Sequence, residues 1–174
     1  PKWSPDGKTL LFMSVVYPGA ADDEANKKIA AERKARKYNA RAYDGFPIRY
    51  WDHWLDDMQP HVFVQAAEPG AKPRDLLAGT KLVAERGFAG TETNSGQEIV
   101  SVWAPDGLSV VFAATVNRNA AAYAWTVTHL YQAPVAGGEP KQLTRGSDSH
   151  YRPAFSPDGR TLYALTSPND DKVY

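Results

Sequence analysis

Apolar and polar residues follow one pattern three times along the chain. In each copy an aromatic residue and a Ser or Ala precede Pro-Asp-Gly, and a short apolar segment follows. The copies occupy residues 3–7, 103–107 and 155–159, and their apolar segments are 10–13, 110–113 and 162–165. Pro presets φ for a type I turn, Asp bonds back to the backbone, and Gly takes the left-handed position that closes the turn. The pattern predicts three β-hairpins of one design, each with its aromatic residue facing the core.

Two of the hairpins are followed by a second pair of β-prone segments that enclose a Gly- and Pro-rich turn. These pairs are residues 61–64 with 75–77, and residues 129–132 with 142–144. A unit then holds a hairpin, a connection, a strand, a turn and a short last strand, which makes four strands. Four-stranded units of roughly 40 to 50 residues are typical of propeller blades, and 52 residues separate Trp103 from Phe155.

The sequence therefore predicts an all-β fold, a partial β-propeller of about three four-stranded blades with one helical insertion. The predicted units cover residues 1–79, 98–145 and 149–174, the last of them incomplete. Because both ends fall within or soon after a repeat motif, residues 1–174 are interpreted as one fragment of a propeller domain. An open arc of blades leaves two sheet faces uncovered, so we expect either an oligomer whose chains cover these faces or an incompletely closed domain that depends on crystal contacts.

The first unit contains an insertion, residues 20–54, that the second unit lacks. Residues 20–42 are rich in Ala, Lys, Glu and Arg and contain no Gly or Pro, which predicts a helix capped by Asp22 or Asp23. This helix either lies exposed across a blade or forms an arm that lines a site or binds a partner. No aromatic platform is interleaved with its basic residues, which disfavours nucleic acid as a ligand. Between the first and second units, residues 81–84 are predicted as a strand.

The densest cluster of aromatic and polar residues lies at the end of the insertion, in residues 43–54. Insertions in repeat proteins often collect on the binding face. The candidate binding residues are Asp44, Arg49, Trp51, Asp52 and Trp54. In one interpretation the tryptophans pack between blades while the arginine pairs with one of the aspartates. In the other, the same residues contact a ligand.

Composition and motifs exclude several classes of function for this chain. It has 20 basic and 20 acidic residues and no cysteine, so neither a generally nucleic-acid-binding protein nor thiolate chemistry is expected. No apolar run is long enough to span a bilayer. The chain lacks a Gly-x-Ser-x-Gly elbow, a phosphate loop and a dinucleotide motif, and its four histidines lack metal-site spacing. We therefore predict no catalytic residue, no metal site and no cofactor, and a structural role for His61 and His129, which occupy equivalent repeat positions.

The Ser-Pro-Asp-Gly hairpins resemble the WD40-like propeller repeats of TolB-like proteins and of the prolyl oligopeptidase (S9) family of serine peptidases. Residues 49–54, Arg-Tyr-Trp-Asp-His-Trp, followed by residues 61–64, resemble the Arg-x-Trp-Asp-x-Trp element of bacterial dipeptidyl-peptidase 5-like and acylaminoacyl-peptidase-like members. Residues 103–119 and 130–144 are similar to the same subgroup. The resemblance covers nearly the whole chain.

This resemblance implies a non-catalytic N-terminal propeller that lies over a C-terminal α/β-hydrolase domain, which carries the Ser-Asp-His triad. The propeller would restrict access to short peptides, and the insertion would hold the substrate's N-terminal end. Asp44 and Asp52 would pair with its ammonium group, and Trp51 and Trp54 would pack its first side chain. A periplasmic location is favoured by the same resemblance, and a cytoplasmic one stays open. The alternative is a TolB-like module that binds a protein partner and has no enzymatic role.

Overall fold

The computed structural model of the protein describes residues 1–38, 40–43, 45–93 and 96–169. Most of its regular structure is β. The strands are β1 (Lys2–Trp3), β2 (Thr9–Val16), β3 (Arg49–Tyr50), β4 (His53–Trp54), β5 (Gln59–Ala66), β6 (Arg74–Asp75), β7 (Thr91–Thr93), β8 (Gly96–Glu98), β9 (Ser101–Trp103), β10 (Ser109–Thr115), β11 (Thr128–Pro134), β12 (Lys141–Gln142), β13 (Ser149–Phe155) and β14 (Leu162–Ser167). The helices are α1 (Asp23–Lys34), α2 (Lys81–Ala84) and a 3₁₀ turn at Arg118–Ala120.

Three antiparallel sheets follow one another along the chain. The first has the strand order β1-β2-β5-β6 and the second the order β9-β10-β11-β12, while β13 and β14 pair to form the third. The four-stranded unit predicted from the sequence is therefore present in the first and second sheets. Two small hairpins, β3–β4 and β7–β8, lie in the connections. None of these sheets closes into a barrel within the described ranges.

The sheets pack face to face, with the second between the other two. One core cluster joins Leu11, Val62 and Val64 of the first sheet to Val110, Phe112 and Tyr131 of the second. Another joins Val111, Ala113 and Leu130 of the second sheet to Tyr151, Phe155 and Leu162 of the third. All seven residues of β10 are buried, because successive side chains point to opposite faces and both faces are covered.

The three predicted hairpin turns have the same geometry. Gly7, Gly107 and Gly159 have φ angles of +70°, +69° and +72°. Each glycine N–H donates to the carbonyl oxygen three residues earlier at 2.9 Å. This is the left-handed closing position that glycine adopts without steric cost, so the turn prediction is confirmed in all three copies.

The aromatic residues that precede these turns are not equally covered. Trp103 and Phe155 pack against the core, as predicted, whereas Trp3 is 58% exposed. Trp3 pairs with Leu10 and lies on the face of the first sheet that points away from the second. In the described part of the chain no sheet packs on that face.

The inserted helix is shorter than predicted. It ends at Lys34 rather than continuing to residue 42. The Lys27–Asp23 ion pair of 2.7 Å lies one turn apart on the helix and supports it. After Glu32 every charged residue up to Arg41 is basic, so further turns would place like charges three or four residues apart.

The predicted strand at residues 81–84 is wrong, because these residues form the single helical turn α2. The backbone N–H of Lys81 donates to both carboxylate oxygens of Glu139, at 3.1 and 3.0 Å. The Thr80 hydroxyl donates to the Leu77 carbonyl at 2.7 Å, and Leu82 is buried below the turn. A carboxylate from the connection between β11 and β12 thus satisfies a donor at the start of the helical turn, a contact that periodicity does not reveal.

Candidate functional site

Helix α1 is fastened at its N-terminal end to the end of β2. The Asp22 carboxylate caps the helix by accepting a hydrogen bond from the Ala25 N–H at 2.8 Å. The Asn26 side-chain oxygen accepts from the Tyr17 N–H, also at 2.8 Å. The guanidinium of Arg33 lies over the Tyr17 ring, 4.3 Å from its centre. The helix is therefore held where the insertion begins.

The same arginine closes the other end of the insertion. Both terminal nitrogens of Arg33 donate to the two carboxylate oxygens of Asp57 at 2.5 Å, in a bidentate ion pair. This hydrogen bonding lowers the pKa of the Asp57 carboxyl, against an opposing effect of burial, and raises the pKa of Arg33. Because Asp57 lies two residues before β5, α1 connects the two ends of the insertion.

Between these anchors the chain forms the aromatic hairpin, defined as residues 48–55. Strands β3 and β4 pair Arg49 with Trp54, and the Leu55 N–H donates to the Ile48 carbonyl at 3.1 Å. The Tyr43 hydroxyl donates to the Leu55 carbonyl at 2.9 Å, and its ring lies 6.4 Å from the Trp54 ring, measured between centroids. The hairpin therefore has a fixed base on a preceding segment of the insertion.

The predicted binding residues that the structure describes lie together on this hairpin. Trp51 forms the turn with a φ of +50° and is 82% exposed, and Trp54 is 57% exposed. Neither tryptophan packs between sheets, so the first of the two interpretations is not observed for them. Asp52 contacts the Nε2 atom of His53 at 3.1 Å and forms no ion pair with Arg49. Asp44 lies outside the described residues.

The corresponding connection of the second unit, residues 116–127, also presents aromatic side chains. Tyr123 and Trp125 are exposed there. The Asn117 side chain organises this loop: its amide nitrogen donates to the Trp125 carbonyl at 2.9 Å, and its oxygen accepts from the Val127 N–H at 2.9 Å. The sequence analysis did not single out these aromatic residues. Their place between the second and third strands of a unit, as in the insertion, is the signal that would have found them.

A cleft of about 460 Å³ opens on the uncovered face of the first sheet. Its floor is the stacked pair Phe12 and Phe63, with ring centroids 5.6 Å apart. Three carboxylates line it, and each already has a partner: Asp22 caps α1, Asp23 pairs with Lys27, and Asp75 contacts His61. The cleft is thus an aromatic sheet face with engaged acidic groups at its wall.

The two histidines in equivalent repeat positions bond to the segments that follow their strands. Buried His61 contacts the partly buried Asp75 carboxylate through Nδ1 at 2.6 Å, and Asp75 also accepts from the Leu77 N–H at 2.8 Å. The Nδ1 atom of His129 lies 3.3 Å from the Thr144 hydroxyl. Both contacts join the third strand of a unit to its last segment, which is the structural role predicted for these residues.

The described ranges contain no group of three His, Cys, Asp or Glu side chains arranged to hold a metal ion. Nor do they contain a helix of the length and apolar character needed to cross a membrane. What the aromatic hairpin can do chemically is bind: it offers ring faces, a carboxylate and a guanidinium to a small polar ligand.

No protein-family model matches the chain. The chain is similar to dipeptidyl-peptidase 5 of Porphyromonas gingivalis, with 24% identity over 172 residues. This match covers 97% of the chain and 23% of the peptidase. The chain thus spans about a quarter of the length of this curated relative, and the distant, partial similarity is consistent with a domain of a peptidase.

Proposed function

We propose that the chain is the non-catalytic propeller part of a serine peptidase of the prolyl oligopeptidase (S9) family, of the dipeptidyl or acylaminoacyl kind, and that it gates access and positions the N-terminal end of short peptides. The observation that carries this proposal is the aromatic hairpin, in which two exposed tryptophans flank an exposed carboxylate. The similarity to a dipeptidyl peptidase along 97% of the chain supports the peptidase context.

The side chains of the hairpin match the chemistry of a peptide's N-terminal end. A free N-terminus is an ammonium group next to a first side chain. Asp52, with Asp44 as a second carboxylate, would attract the ammonium group, and the ring faces of Trp51 and Trp54 would pack the side chain. Arg49, on the paired strand, would donate a hydrogen bond to a peptide carbonyl oxygen. The ion pair between α1 and Asp57 anchors the segment that follows this hairpin, which limits the entropy lost on binding.

The proposed propeller has its blades at residues 1–79, 98–145 and 149–174. Face-to-face packing of successive antiparallel sheets in the described part supports it. A C-terminal α/β-hydrolase domain of the same polypeptide would supply the Ser-Asp-His triad. Bond cleavage would then occur in that domain, while this chain selects which peptides reach it.

The first test is peptide binding to the chain itself, followed by tryptophan fluorescence. The probes are a dipeptide amide with a free N-terminus and the same peptide acetylated at that end. We expect the free peptide to bind more tightly, by roughly two- to five-fold, as an exposed ammonium–carboxylate contact allows. Asp52→Asn should remove that preference, and Trp51→Ala should weaken both peptides. Glu68→Gln, which changes an exposed carboxylate outside the hairpin, is the matched control.

The second test uses the peptidase that contains this chain. The chain alone should cleave neither peptide, whereas the whole peptidase should cleave the peptide with a free N-terminus. In the whole peptidase, Asp52→Asn should lower kcat/KM for this peptide and leave kcat/KM for the acetylated peptide unchanged. Absence of cleavage by the whole protein would overturn the peptidase assignment and favour the protein-binding module. Equal kcat/KM values for the variant and the wild type would overturn the role of the hairpin.

A further inference from the structure

Two connections with exposed aromatic side chains leave neighbouring sheets from equivalent strands. Strand β2 leads into the insertion that carries the aromatic hairpin, and β10 leads into residues 116–127, here called the aromatic loop. In the aromatic loop Tyr123 is 83% exposed and Trp125 is 49% exposed. The binding mode proposed above uses the hairpin and gives these two rings no role.

A short buried segment joins the bases of the two connections. The ring of buried Phe88 meets the His61 ring edge-on, with 6.2 Å between centroids, and His61 lies near the start of β5, where the insertion ends. The next residue, Ala89, exchanges backbone hydrogen bonds of 3.0 and 2.9 Å with Thr115, the last residue of β10. Since neighbouring Cα atoms are about 3.8 Å apart and paired strands about 4.8 Å apart, the end of the insertion and the start of the aromatic loop are roughly 10 to 15 Å apart.

Glycines at both ends of this segment allow its close contact with both connections. A Cβ atom on Gly87 would collide with the Val116 carbonyl oxygen and would lie 2.5 Å from the Oδ1 atom of Asn119, both in the aromatic loop. A Cβ atom on Gly90 would lie 3.1 Å from the Cγ atom of Pro60, in β5. The insertion and the aromatic loop are therefore held at one edge of the two sheets.

The backbone of the aromatic loop is fixed by its own hydrogen bonds. The N–H groups of Tyr123 and Ala124 both donate to the Ala120 carbonyl, at 3.0 and 2.9 Å. The Asn117 amide nitrogen donates to the Trp125 carbonyl at 2.9 Å. The two exposed rings thus stand on an ordered backbone, which limits the conformational entropy that a ligand must offset.

The aromatic loop differs from the hairpin in charge. The hairpin presents Asp52 and Arg49, whereas residues 119–128 contain no charged side chain. Ring faces without neighbouring charges favour apolar side chains, by area and by aromatic pairing. The two connections are therefore suited to different parts of one ligand, a charged end and an apolar side chain.

We propose that the aromatic loop binds an apolar side chain of the same peptide whose N-terminal end the hairpin holds, through the rings of Tyr123 and Trp125. This inference rests on the function proposed above and extends it to the substrate class. The peptides selected would carry a large apolar side chain at the third or fifth position from the N-terminus.

The positions follow from the geometry of an extended peptide. Each residue advances the chain by about 3.3 Å, and alternate side chains lie on the same face. The third and fifth side chains are thus about 7 and 13 Å from the first and point to its side, whereas the fourth points away. The separation of the two connections matches this spacing.

The test is the affinity of the chain for a series of pentapeptide amides, measured by NMR titration. Each peptide has a free N-terminus and consists of alanine, with one phenylalanine at position three, four or five, or with none. We expect phenylalanine at position three or five to tighten binding roughly three- to ten-fold over the all-alanine peptide, as an aromatic contact allows. Phenylalanine at position four should change the affinity less than two-fold.

Trp125→Ala should abolish the preference for phenylalanine and keep the preference for a free over an acetylated N-terminus. Asp52→Asn should do the reverse. Trp125→Phe, which keeps a ring, should retain most of the preference for phenylalanine. Tyr123→Ala, at an 83% exposed position, should also weaken it and serves as the second variant if Trp125→Ala prevents folding.

Trp3→Ala is the matched control, because Trp3 is another exposed tryptophan and lies beside the opposite end of β2 from the insertion. It should bind every peptide of the series like the wild type. Circular dichroism should show each variant folded. A loss of the phenylalanine preference in Trp3→Ala as well would overturn the assignment to the aromatic loop.

The outcomes separate this inference from the proposed function. A preference for a free N-terminus without any preference for phenylalanine would overturn the inference and leave the proposed function standing, whereas a chain that binds none of the peptides would overturn both. In the whole peptidase, phenylalanine at the preferred position should raise kcat/KM, and Trp125→Ala should remove that gain. If Trp125→Ala instead lowers the melting temperature of the whole peptidase and keeps the wild-type specificity, the loop packs on another part of the polypeptide and the inference is wrong.

Discussion

Gly159 lies against Pro105, so that a Cβ atom on the glycine would come within 2.9 Å of the Cβ and Cγ atoms of the proline. The turn of the third unit thus nests on the turn of the second. The turn of the second unit lies on that of the first in the same way but less closely, with 3.7 Å between a Cβ on Gly107 and the Cδ of Pro5. The repeated sequence motif therefore also produces a repeated contact, in which the glycine of one turn lies against the proline of the preceding turn.

This contact predicts a graded series of glycine substitutions. Gly7→Ala should lower the free energy of unfolding by about 1 kcal/mol, since alanine is strained at a positive φ and nothing else lies near. Gly107→Ala should cost about the same. Gly159→Ala should cost a further 1 to 3 kcal/mol or so, because its methyl group meets Pro105. Urea unfolding measures all three, and equal losses would show that the turns do not nest.

A second prediction concerns the aspartates of the turns. The Ser4 hydroxyl donates to the Asp6 carboxylate at 2.6 Å, and this hydrogen bond lowers the pKa of Asp6 below the ordinary 3.8. The hydrogen bond from the Lys8 N–H lowers this pKa further and is the second largest cause. Ser156 does the same for Asp158 at 2.5 Å. Replacing Ser4 with Ala should raise the pKa of Asp6 towards 3.8, as followed by carbon NMR of the carboxyl group.

The sign of the pH effect follows from that shift. Because the folded pKa of Asp6 is lowered, its contribution to stability is complete above pH 3.8 and is lost as the pH falls through the folded value. The difference in stability between the wild type and Ser4→Ala should therefore shrink in strong acid. In an Asp6→Asn background this pH-dependent part should vanish, and its persistence there would contradict the assignment.

The third prediction is that the Arg33–Asp57 pair keeps the insertion closed. Arg33→Lys retains the charge but loses the bidentate geometry and the flat contact with Tyr17, so stability should fall by about 0.5 to 1 kcal/mol. Trypsin should cleave residues 36–49 several times faster. The pair should also weaken as the pH falls below 3.8, since the pKa of Asp57 is lowered in the folded chain.

Lys28→Arg is the matched control, because Lys28 is a basic residue of the same helix, lies outside the cleaved window and forms no bidentate pair in the described structure. It should leave the cleavage rate unchanged. Combining Arg33→Lys with Asp57→Asn should cost less than the sum of the two single changes. Additive effects would mean that the two residues act separately.

A fourth prediction concerns the junction of the second and third sheets, where His129 stacks on His150 with ring centroids 6.3 Å apart. Burial, and then the nearby His150, lower the pKa of His129 below 6.5. His129 is therefore protonated more readily in the unfolded chain than in the folded chain. Stability should be complete above pH 6.5 and decline as the pH falls through the folded pKa.

His150→Gln removes the neighbouring charge and should make this decline smaller. Hydrogen exchange of the β13 and β14 amides at pH 5 and pH 7.5 measures the effect where it should be largest. His53→Gln, in the exposed aromatic hairpin, is the control. An unchanged pH dependence in His150→Gln would show that the two rings do not influence each other.

Local chemistry accounts for what the sequence analysis predicted correctly. The hairpin turns were predictable because Pro, Asp and Gly restrict or permit particular backbone angles wherever they occur. The four-stranded unit was predictable because its strands alternate with these turns. The cap at Asp22 was one of two predicted choices, and its hydrogen bond to Ala25 is equally local.

The errors and omissions lie where distant residues compete with local preference. Residues 81–84 have β-prone members, yet a carboxylate from Glu139, far along the chain, satisfies the start of a helical turn there. Trp3 has the same local sequence context as Trp103, but among the sheets of the described ranges one packs on Trp103 and none on Trp3. The exposure of Trp51 and Trp54 could not be predicted either, because aromatic residues are equally suited to a core or to a binding surface.

By itself the sequence determined the turns, the strand-rich units and the position of the insertion, because these depend on backbone angles and alternation over a few residues. Only the tertiary structure decided which faces are covered and that Arg33 reaches Asp57 to close the insertion. The burial of a face and the formation of an ion pair depend on which residues, distant in the sequence, come into contact in the folded chain. Burial and ion pairing are properties of the assembled sheets and are absent from any single segment.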